Sequence, residues 1–228
     1  YWQERIAHLA DDGLRLLALA WHADQTAFPT TGWQWLGLAG LEDPPRPEVP
    51  AALSDCYQAG VHVLMITGDH PRTARAIAAR IGMNRAPRVM TGSELDALDD
   101  SALAQQALQL QVVARASPEH KLRLVSALQQ QGRIVAMTGD GVNDAPALRR
   151  ADIGIAMGMN GTDAARDAAD MVLADDNFAT LRDAIHAGRR IYTNLRRCIL
   201  FLLPTNLAQA MVLFAAIMLN WPLPVSPL

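Results

Sequence analysis

The side chains best suited to chemistry lie in one continuous run, Met137-Thr-Gly-Asp-Gly-Val-Asn-Asp-Ala-Pro-Ala-Leu148. Consecutive apolar residues within Arg133–Thr138 predict a short buried strand that leads into the run. Asp140 and Asp144 lie on either side of the glycine-containing turn that follows, close enough to face one small volume. Two carboxylates at the carboxyl end of a parallel strand suit a hard divalent cation such as Mg2+, and the Asn143 amide suits a phosphoryl oxygen.

The same run also fits a polar loop between a strand and a helix. In that interpretation Asp144 caps the next helix, ahead of Pro146 in its first turn. The two interpretations are compatible, since one loop can serve both purposes.

A second polar turn follows the predicted strand Val61–Thr67 and reads Thr67-Gly-Asp-His-Pro71. A strand, a tight turn and a helix place backbone N–H groups and a hydroxyl at a helix N-terminus, which favours an anion. The structural alternative makes Asp69 the N-cap, with Pro71 in the first turn. That alternative accounts for these two residues but less well for the Thr67-Gly68 pair.

A third segment, Arg115-Ala-Ser-Pro-Glu-His-Lys121, follows a predicted strand at 112–114. Ser117 and Pro118 predict the start of a helix, so Lys121 falls within its first turns. A lysine there opposes the helix dipole, which is unfavourable unless an anion lies nearby. This placement mildly favours an anion-binding role.

Predicted strands and helices alternate throughout residues 48–178, which implies a parallel sheet covered by helices on both faces. A capping box at Thr91-x-x-Glu94 predicts the start of a mostly helical stretch, and Asp175-Asp-Asn-Phe178 predicts the cap of a long final helix. All three polar segments fall at the carboxyl ends of predicted strands. Ligands bind at that edge in sheets of this kind.

The tail changes character, because Cys198–Leu219 carries no formal charge over roughly the length that spans a bilayer. Arginines precede it, as is typical of a cytoplasmic flank, and Trp221 follows at the far interface. The alternative is a buried core helix, but no further elements remain to bury it. Asn206 and Gln209 are costly in lipid, so we expect them to face a protein interior or an ion path.

Composition limits the possible functions further. The chain has 228 residues, half of them hydrophobic, and a formal net charge of −3 with few aromatic residues. This supports a packed core and argues against a nucleic-acid-binding protein, which would present a basic face. The chain begins without Met in the middle of a helical pattern, which suggests a piece of a longer protein.

The run around Asp140 resembles the phosphorylation domain of P-type ATPases, ion pumps that pass through an aspartyl-phosphate, within the haloacid-dehalogenase-like fold. The resemblance extends over nearly the whole chain. Leu14–Ala20 resembles the end of the pumps' nucleotide-binding domain, and Asp43-Pro-Pro-Arg46 resembles the hinge of type II and type III pumps. The turn Thr67-Gly-Asp-His-Pro-x-Thr73 looks closest to type II pumps.

The resemblance implies an α/β fold of the haloacid-dehalogenase type followed by a transmembrane helix, with ATP and Mg2+ as cofactors. The site residues that it assigns are Thr67, Gly68, Asp69, Lys121, Asn143 and Asp144 around the phosphoryl group, Arg115 at the nucleotide, Asp140 at Mg2+ with Asp144 behind it, and Asn206 and Gln209 on the ion path. Gln209 stands where calcium pumps with two ion sites often carry Glu, so the resemblance does not extend to a second calcium site or to a specific ion.

The implied domains are the end of the nucleotide-binding domain (1–42), the phosphorylation domain without its nucleophile segment (43–188), and a stalk with the fifth transmembrane helix (189–228). The implied partners are ATP, a transported cation, the lipid bilayer and the remainder of the pump. The implied location is a plasma or bacterial inner membrane, with the catalytic domain in the cytoplasm.

The chain contains no Asp-Lys-Thr-Gly-Thr run, so the phosphorylated aspartate of such pumps is absent from it. Two other interpretations stay open. One is a soluble haloacid-dehalogenase-like phosphatase, which needs an Asp-x-Asp pair after an early strand and has no use for the tail. The other is a truncated membrane protein that binds only Mg2+ or a partner.

Overall fold

The computed structural model describes residues 1–23, 30–84 and 86–222, so parts of the predicted segments 1–42, 43–188 and 189–228 lie outside it. Its helices are α1 (Trp2–Asp11), α2 (Val49–Gln58), α3 (Pro71–Arg80), α4 (Gly92–Asp96), α5 (Asp100–Ala107), α6 (Pro118–Gln130), α7 (Ala145–Arg150), α8 (Asp163–Ala168) and α9 (Phe178–Met218). Its strands are β1 (Arg15–Trp21), β2 (Gln34–Leu41), β3 (Met65–Ile66), β4 (Val89–Thr91), β5 (Val112–Ala114), β6 (Ala136–Gly139), β7 (Ile153–Met157) and β8 (Met171–Leu173).

The described strands form three sheets. β1 and β2 form an antiparallel hairpin near the N-terminus. The remaining strands confirm the predicted parallel α/β architecture, but they divide into two three-stranded parallel sheets with the orders β3-β5-β4 and β6-β7-β8. The two strands that lead into the Thr67 and Asp140 turns, β3 and β6, are therefore both edge strands of their sheets.

Helices cover both faces of the first sheet. Along β5, Val113 packs into a cluster with Leu103 and Leu124, whereas Val112 packs into a separate cluster with Leu53. This is the alternation expected when successive side chains of a strand point to opposite faces. The predicted strand at 112–114 and its cover of helices on both faces are confirmed.

Helix α6 packs against both parallel sheets. Its Leu124 belongs to the cluster under the first sheet, and its neighbour Val125 belongs to the cluster around Met137 of β6 and Leu148 of α7. One helix therefore fixes the relative position of the strands that carry the polar turns.

The prediction of a short buried strand at Arg133–Thr138 is only partly right. The strand begins only at Ala136, and Ile134 is 80% exposed. Within β6, Met137 is buried but Ala136 and Thr138 are exposed. The physical reason is that β6 is an edge strand whose second face has no cover among the described residues.

Helix starts follow the predicted signals in part. Thr91 and Glu94 form the predicted capping box, and Ser117 caps α6 through the N–H of His120. The mostly helical stretch predicted after Thr91 is divided into α4 and α5, because Asp99 provides a second N-cap.

Close packing of β7 against α7 gives a test of the fold. A Cβ on Gly154 would lie 2.6 Å from the carbonyl oxygen of Leu148 and 3.3 Å from the Cα of Ala169. Both are backbone atoms that cannot rotate away, so we expect Gly154→Ala to lower the free energy of unfolding by about 1–3 kcal/mol.

The matched control is Gly188→Ala in α9, where no atom lies within 4 Å of the added Cβ. We expect this change to be neutral or stabilising by up to about 1 kcal/mol, as alanine favours helix. Denaturant unfolding in detergent, followed by far-UV circular dichroism, measures both. Equal stability of the two variants would contradict the packing described for β7 and α7.

Candidate functional site

The turn after β6 is built around the carboxylate of Asp144, which is buried. Its Oδ2 accepts hydrogen bonds from the backbone N–H groups of Asp140 and Gly141, each at 3.3 Å. A Cβ on Gly139 would lie 2.5 Å from the Cβ of Asp144, so only glycine lets the side chain fold back under the turn. Asp144 occupies the predicted N-cap position of α7, but its side chain makes no cap hydrogen bond to that helix.

The second oxygen of Asp144 forms an ion pair with the ammonium group of Lys121. The Lys121 side chain is 24% exposed and that of Asp144 is 5% exposed, so the pair lies largely out of water. Lys121 lies in the first turns of α6, as predicted, and is the only lysine in the chain. The ion pair therefore connects the Lys121 segment to the Asp140 turn.

The carboxylate of Asp140 is exposed, as is the side chain of Asn143. Within residues 1–23, 30–84 and 86–222, no hydrogen bond or ion pair engages the Asp140 carboxylate, and no cluster of three or more His, Cys, Asp or Glu side chains could hold a metal. Mg2+ commonly takes one or two carboxylates and completes its shell with water and phosphate oxygens. Asp140 fits such a ligand, whereas Asp144 is engaged by Lys121 and the turn.

The turn after β3 is closed by its own side chains. Thr67 Oγ1 donates to Asp69 Oδ2 at 2.9 Å and accepts from the Asp69 N–H at 3.1 Å. Asp69 is therefore not the N-cap of α3. That position belongs to His70, whose Nδ1 accepts from the Arg72 N–H at 3.3 Å. Gly68 between them is exposed, with open space where a side chain would stand.

Backbone hydrogen bonds connect this turn to the start of α6. The N–H of Ala116 donates to the carbonyl of Thr67 at 3.0 Å, and that of Arg115 donates to the carbonyl of Asp69 at 3.1 Å. Arg115 has a φ of 53°, which bends the chain from β5 toward α6, and its side chain is exposed. The structure thus links all three predicted segments through contacts from Thr67 to Lys121 and on to Asp144.

A loop that sequence reasoning did not assign to the site also contacts it. The N–H of Thr162 donates to the carbonyl oxygen of Asp140 at 2.8 Å. The preceding loop is held by Asp176, a residue predicted only as part of a helix cap. Burial alone would raise the pKa of the Asp176 carboxyl, but hydrogen bonds from the N–H groups of Met159 and Asn160 outweigh it and hold the pKa below its usual range.

Asn206 and Gln209 lie far along the sequence from these turns, in the second half of α9, and both are exposed. Among the described residues, α9 is long and apolar enough to cross a membrane, by length and composition. Pro204 interrupts its backbone hydrogen bonding, and the Thr205 hydroxyl donates to the carbonyl of Phe201 at 2.8 Å.

Comparison with known proteins points to two related groups. A sequence profile of the haloacid dehalogenase-like hydrolases matches residues 2–152, and a second profile of the same description matches residues 120–185. The chain is similar to a cation-transporting ATPase of Synechocystis (48% identical over 98% of this chain), a calcium-transporting ATPase of Bacillus subtilis (45% over 98%) and the human calcium-transporting ATPase type 2C member 1 (43% over 99%).

The chain spans about a quarter of these relatives, covering 26%, 26% and 24% of their lengths. Among solved structures it resembles a zinc-transporting PIB-type ATPase, with a TM-score of 0.65 and 28% identity over 97% of this chain and 30% of that one. A second structure of a zinc-transporting PIB-type ATPase gives a TM-score of 0.60 and 31% identity over 87% of this chain and 26% of that one.

These likenesses confirm the predicted resemblance to cation-transporting ATPases, and they agree with the parallel sheets and the polar turns at their carboxyl ends. The profile match covers more than half of the residues, and the chain belongs to the haloacid dehalogenase-like hydrolase family.

Proposed function

We propose that this chain forms the carboxyl-terminal part of the phosphorylation domain, with one membrane helix, of an ATP-driven cation pump that passes through an aspartyl-phosphate. One observation carries the proposal: the Thr67 turn, Lys121 and the Asp140 turn are linked in one network at the carboxyl ends of two edge strands. The relatives named as cation- and calcium-transporting ATPases support it.

The sheet edges support the proposal that the phosphorylated aspartate lies in a segment outside this chain. Each edge strand, β3 and β6, has a partner on one side only among the described residues. One parallel strand between them would unite the two sheets and cover the exposed Ala136 and Thr138. Its own carboxyl end would then lie between the Thr67 turn and Asp140, where a nucleophile is required.

The proposed roles follow from the contacts. Gly68 offers open backbone to the phosphoryl oxygens, and the Thr67 hydroxyl, which here donates to Asp69, would turn its hydrogen toward them. Lys121, held by Asp144, supplies a positive charge from the side of α6. Such groups stabilise phosphoryl transfer by position and charge rather than by covalent chemistry.

Asp140 would ligate Mg2+, with Asp144 fixing the turn beneath it and Asn143 ordering the phosphoryl group. When bound, Mg2+ would neutralise charge on the transferred phosphoryl group. The exposed Arg115 stands at the same edge and would contact the nucleotide. The backbone N–H of Asp69 would keep Thr67 Oγ1 in place, because it donates to that oxygen.

We assign the uncharged part of α9, from Cys198 onward, to the membrane, with the residues that precede it in the cytoplasm. Residues 1–42 would end the nucleotide-binding domain, 43–188 would form the phosphorylation domain, and 189–228 the stalk and span. Asn206 and Gln209 would then face an ion path shared with other helices, because polar side chains in hydrocarbon require such an environment. The partners would be ATP, a cation, lipid and the remainder of the pump.

Phosphorylation of the complete protein tests this proposal. We expect the reading frame around this segment to encode an upstream aspartate-bearing strand, and the complete protein to form an acid-stable phosphoenzyme from radiolabelled ATP. Asp140→Asn should slow its formation on the order of 100-fold, the loss typical of one preorganised electrostatic group. Asp167→Asn, an exposed change of the same charge in α8, is the control and should react at the wild-type rate.

The 228-residue chain alone should neither hydrolyse ATP nor become phosphorylated. Hydrolysis by this chain that is lost in Asp140→Asn would instead favour a soluble-type phosphatase with its own nucleophile. A start codon immediately before Tyr1 would favour a nucleophile-less protein that only binds its ligands.

Chemical modification of Lys121, the only lysine in the chain, tests its proposed role separately. An amine-acylating reagent should modify Lys121 slowly, because Asp144 and burial restrict it, and inorganic phosphate with Mg2+ should slow the reaction further. Asp144→Asn should speed modification by roughly ten-fold or more, since it removes a charged partner worth about 1.5–3 kcal/mol. Peptide mass spectrometry measures the rate, and the exposed α-amino group serves as an internal control for the reagent. Equal rates with and without phosphate would contradict a phosphoryl-binding role for Lys121.

A further inference from the structure

The neighbouring residues Asp175 and Asp176 contact different parts of the structure: Asp175 contacts the start of α9, and Asp176 contacts the loop of residues 158–162. Asp175 and Asn177 cap the start of α9, where the Asp175 carboxylate accepts from the N–H of Asn177 at 3.1 Å and from the Thr180 hydroxyl at 2.5 Å. Asp176 has a φ of 51°, a left-handed conformation that turns its side chain away from the helix. It is only 8% exposed. A buried carboxylate in a strained backbone position needs an explanation other than capping.

The Asp176 carboxylate binds the loop of residues 158–162. Its Oδ1 accepts from the N–H of Met159 at 3.0 Å, and its Oδ2 accepts from the backbone N–H and the side-chain amide of Asn160, both at 2.8 Å. Three hydrogen bonds to one carboxylate hold the N–H groups of the loop in place.

Arg166 holds two carbonyl groups of the same loop. Its guanidinium donates to the carbonyl oxygens of Gly158, at 3.2 Å, and of Gly161. A Cβ on Gly161 would overlap the carbonyl oxygen of Met157, so the loop closes back on the end of β7. The loop therefore has little freedom to move.

The loop ends at the backbone of the proposed metal ligand. The N–H of Thr162 donates to the Asp140 carbonyl at 2.8 Å, while the N–H of Asp140 donates to Asp144 at 3.3 Å. The peptide groups on both sides of the Asp140 Cα are thus held, one by Asp144 and the other by this loop. This fixes the direction of the Asp140 Cα–Cβ bond, whereas the exposed carboxylate has no side-chain partner of its own among the described residues.

We propose that Asp176 is a positioning residue for Asp140, acting through the 158–162 loop and the Thr162 N–H. The inference rests on the proposed function for the metal-binding role of Asp140. Groups that orient a metal ligand typically change metal affinity by about 10–100-fold when they are removed. A merely structural role for Asp176 would lower stability throughout the domain without a selective effect on Asp140.

The test compares Asp176→Asn with Asp167→Asn in the 228-residue chain in detergent. The asparagine amide must present N–H groups to at least one of the three donors, so it breaks part of the loop network at nearly constant volume. Hydrogen exchange at the Thr162 amide directly reports the hydrogen bond from Thr162 to the Asp140 carbonyl. Binding of Mn2+ alone, followed by electron paramagnetic resonance, reports the metal site, with Asp140→Asn as its reference.

In Asp176→Asn we expect the Thr162 amide to exchange about ten-fold faster and the Kd for Mn2+ to rise about ten-fold. The exchange rates of the β5 amides should not change. Asp167→Asn should show wild-type values in both measurements. Asn160→Ala removes one of the three bonds and should give a change of about three-fold. It carries the same test if Asp176→Asn does not fold.

Two results for Asp176→Asn would overturn the inference. One is a wild-type exchange rate at the Thr162 amide. The other is an increase in exchange at the β5 amides as large as that at Thr162, which would indicate a general loss of stability. Equal Mn2+ affinity in the wild type and Asp140→Asn would overturn the metal site, and with it the proposed function on which the inference rests. The two failures are distinguishable, because one is read at Thr162 and the other at the metal.

Discussion

The buried Asp144 carboxylate connects the parts on which the site depends. It joins Lys121 of α6 to the turn after β6, and α6 in turn packs against the first sheet through Leu124. Taking this charge out of water is costly, and removing one partner of such a buried pair typically costs about 3–5 kcal/mol, because the other charge is left uncompensated. The same interaction therefore stabilises the junction of the two sheets and sets the direction of the Asp140 turn.

Sequence reasoning located the site because ligands bind at the carboxyl ends of parallel strands, and Thr67, Lys121 and Asp140 all follow such strands. It found the caps of α4 and α6 but failed on the residue that caps α3. In Thr67–Pro71 both Asp69 and His70 are candidates, and the hydroxyl of Thr67 decides between them by engaging Asp69. The Asp176 contacts depend on a loop sixteen and more residues away, which no local capping rule can anticipate.

The apolar run before Asp140 shows why a partly wrong prediction can be informative. Consecutive apolar residues are typical of a strand that is buried on both faces of a parallel sheet. Ile134 and Ala136 are nevertheless exposed among the described residues. The sequence pattern and the observed exposure agree if a further strand or helix covers β6 in the complete protein. The apolar pattern is therefore the one expected if β6 lies inside the larger sheet proposed above.

Helix α9 leaves polar side chains exposed, much as the sheets leave strand edges without a partner among the described residues. The side chains of Asn206 and Gln209 are exposed on α9, and a lone helix in lipid would have to bury their polar groups without partners. A soluble phosphatase has no use for such a helix, and a protein that only binds Mg2+ has no use for polar groups in it. The open strand edges of the described sheets and the exposed polar groups of α9 are both satisfied if this segment works within a longer pump. That shared requirement is what favours the pump over its two rivals.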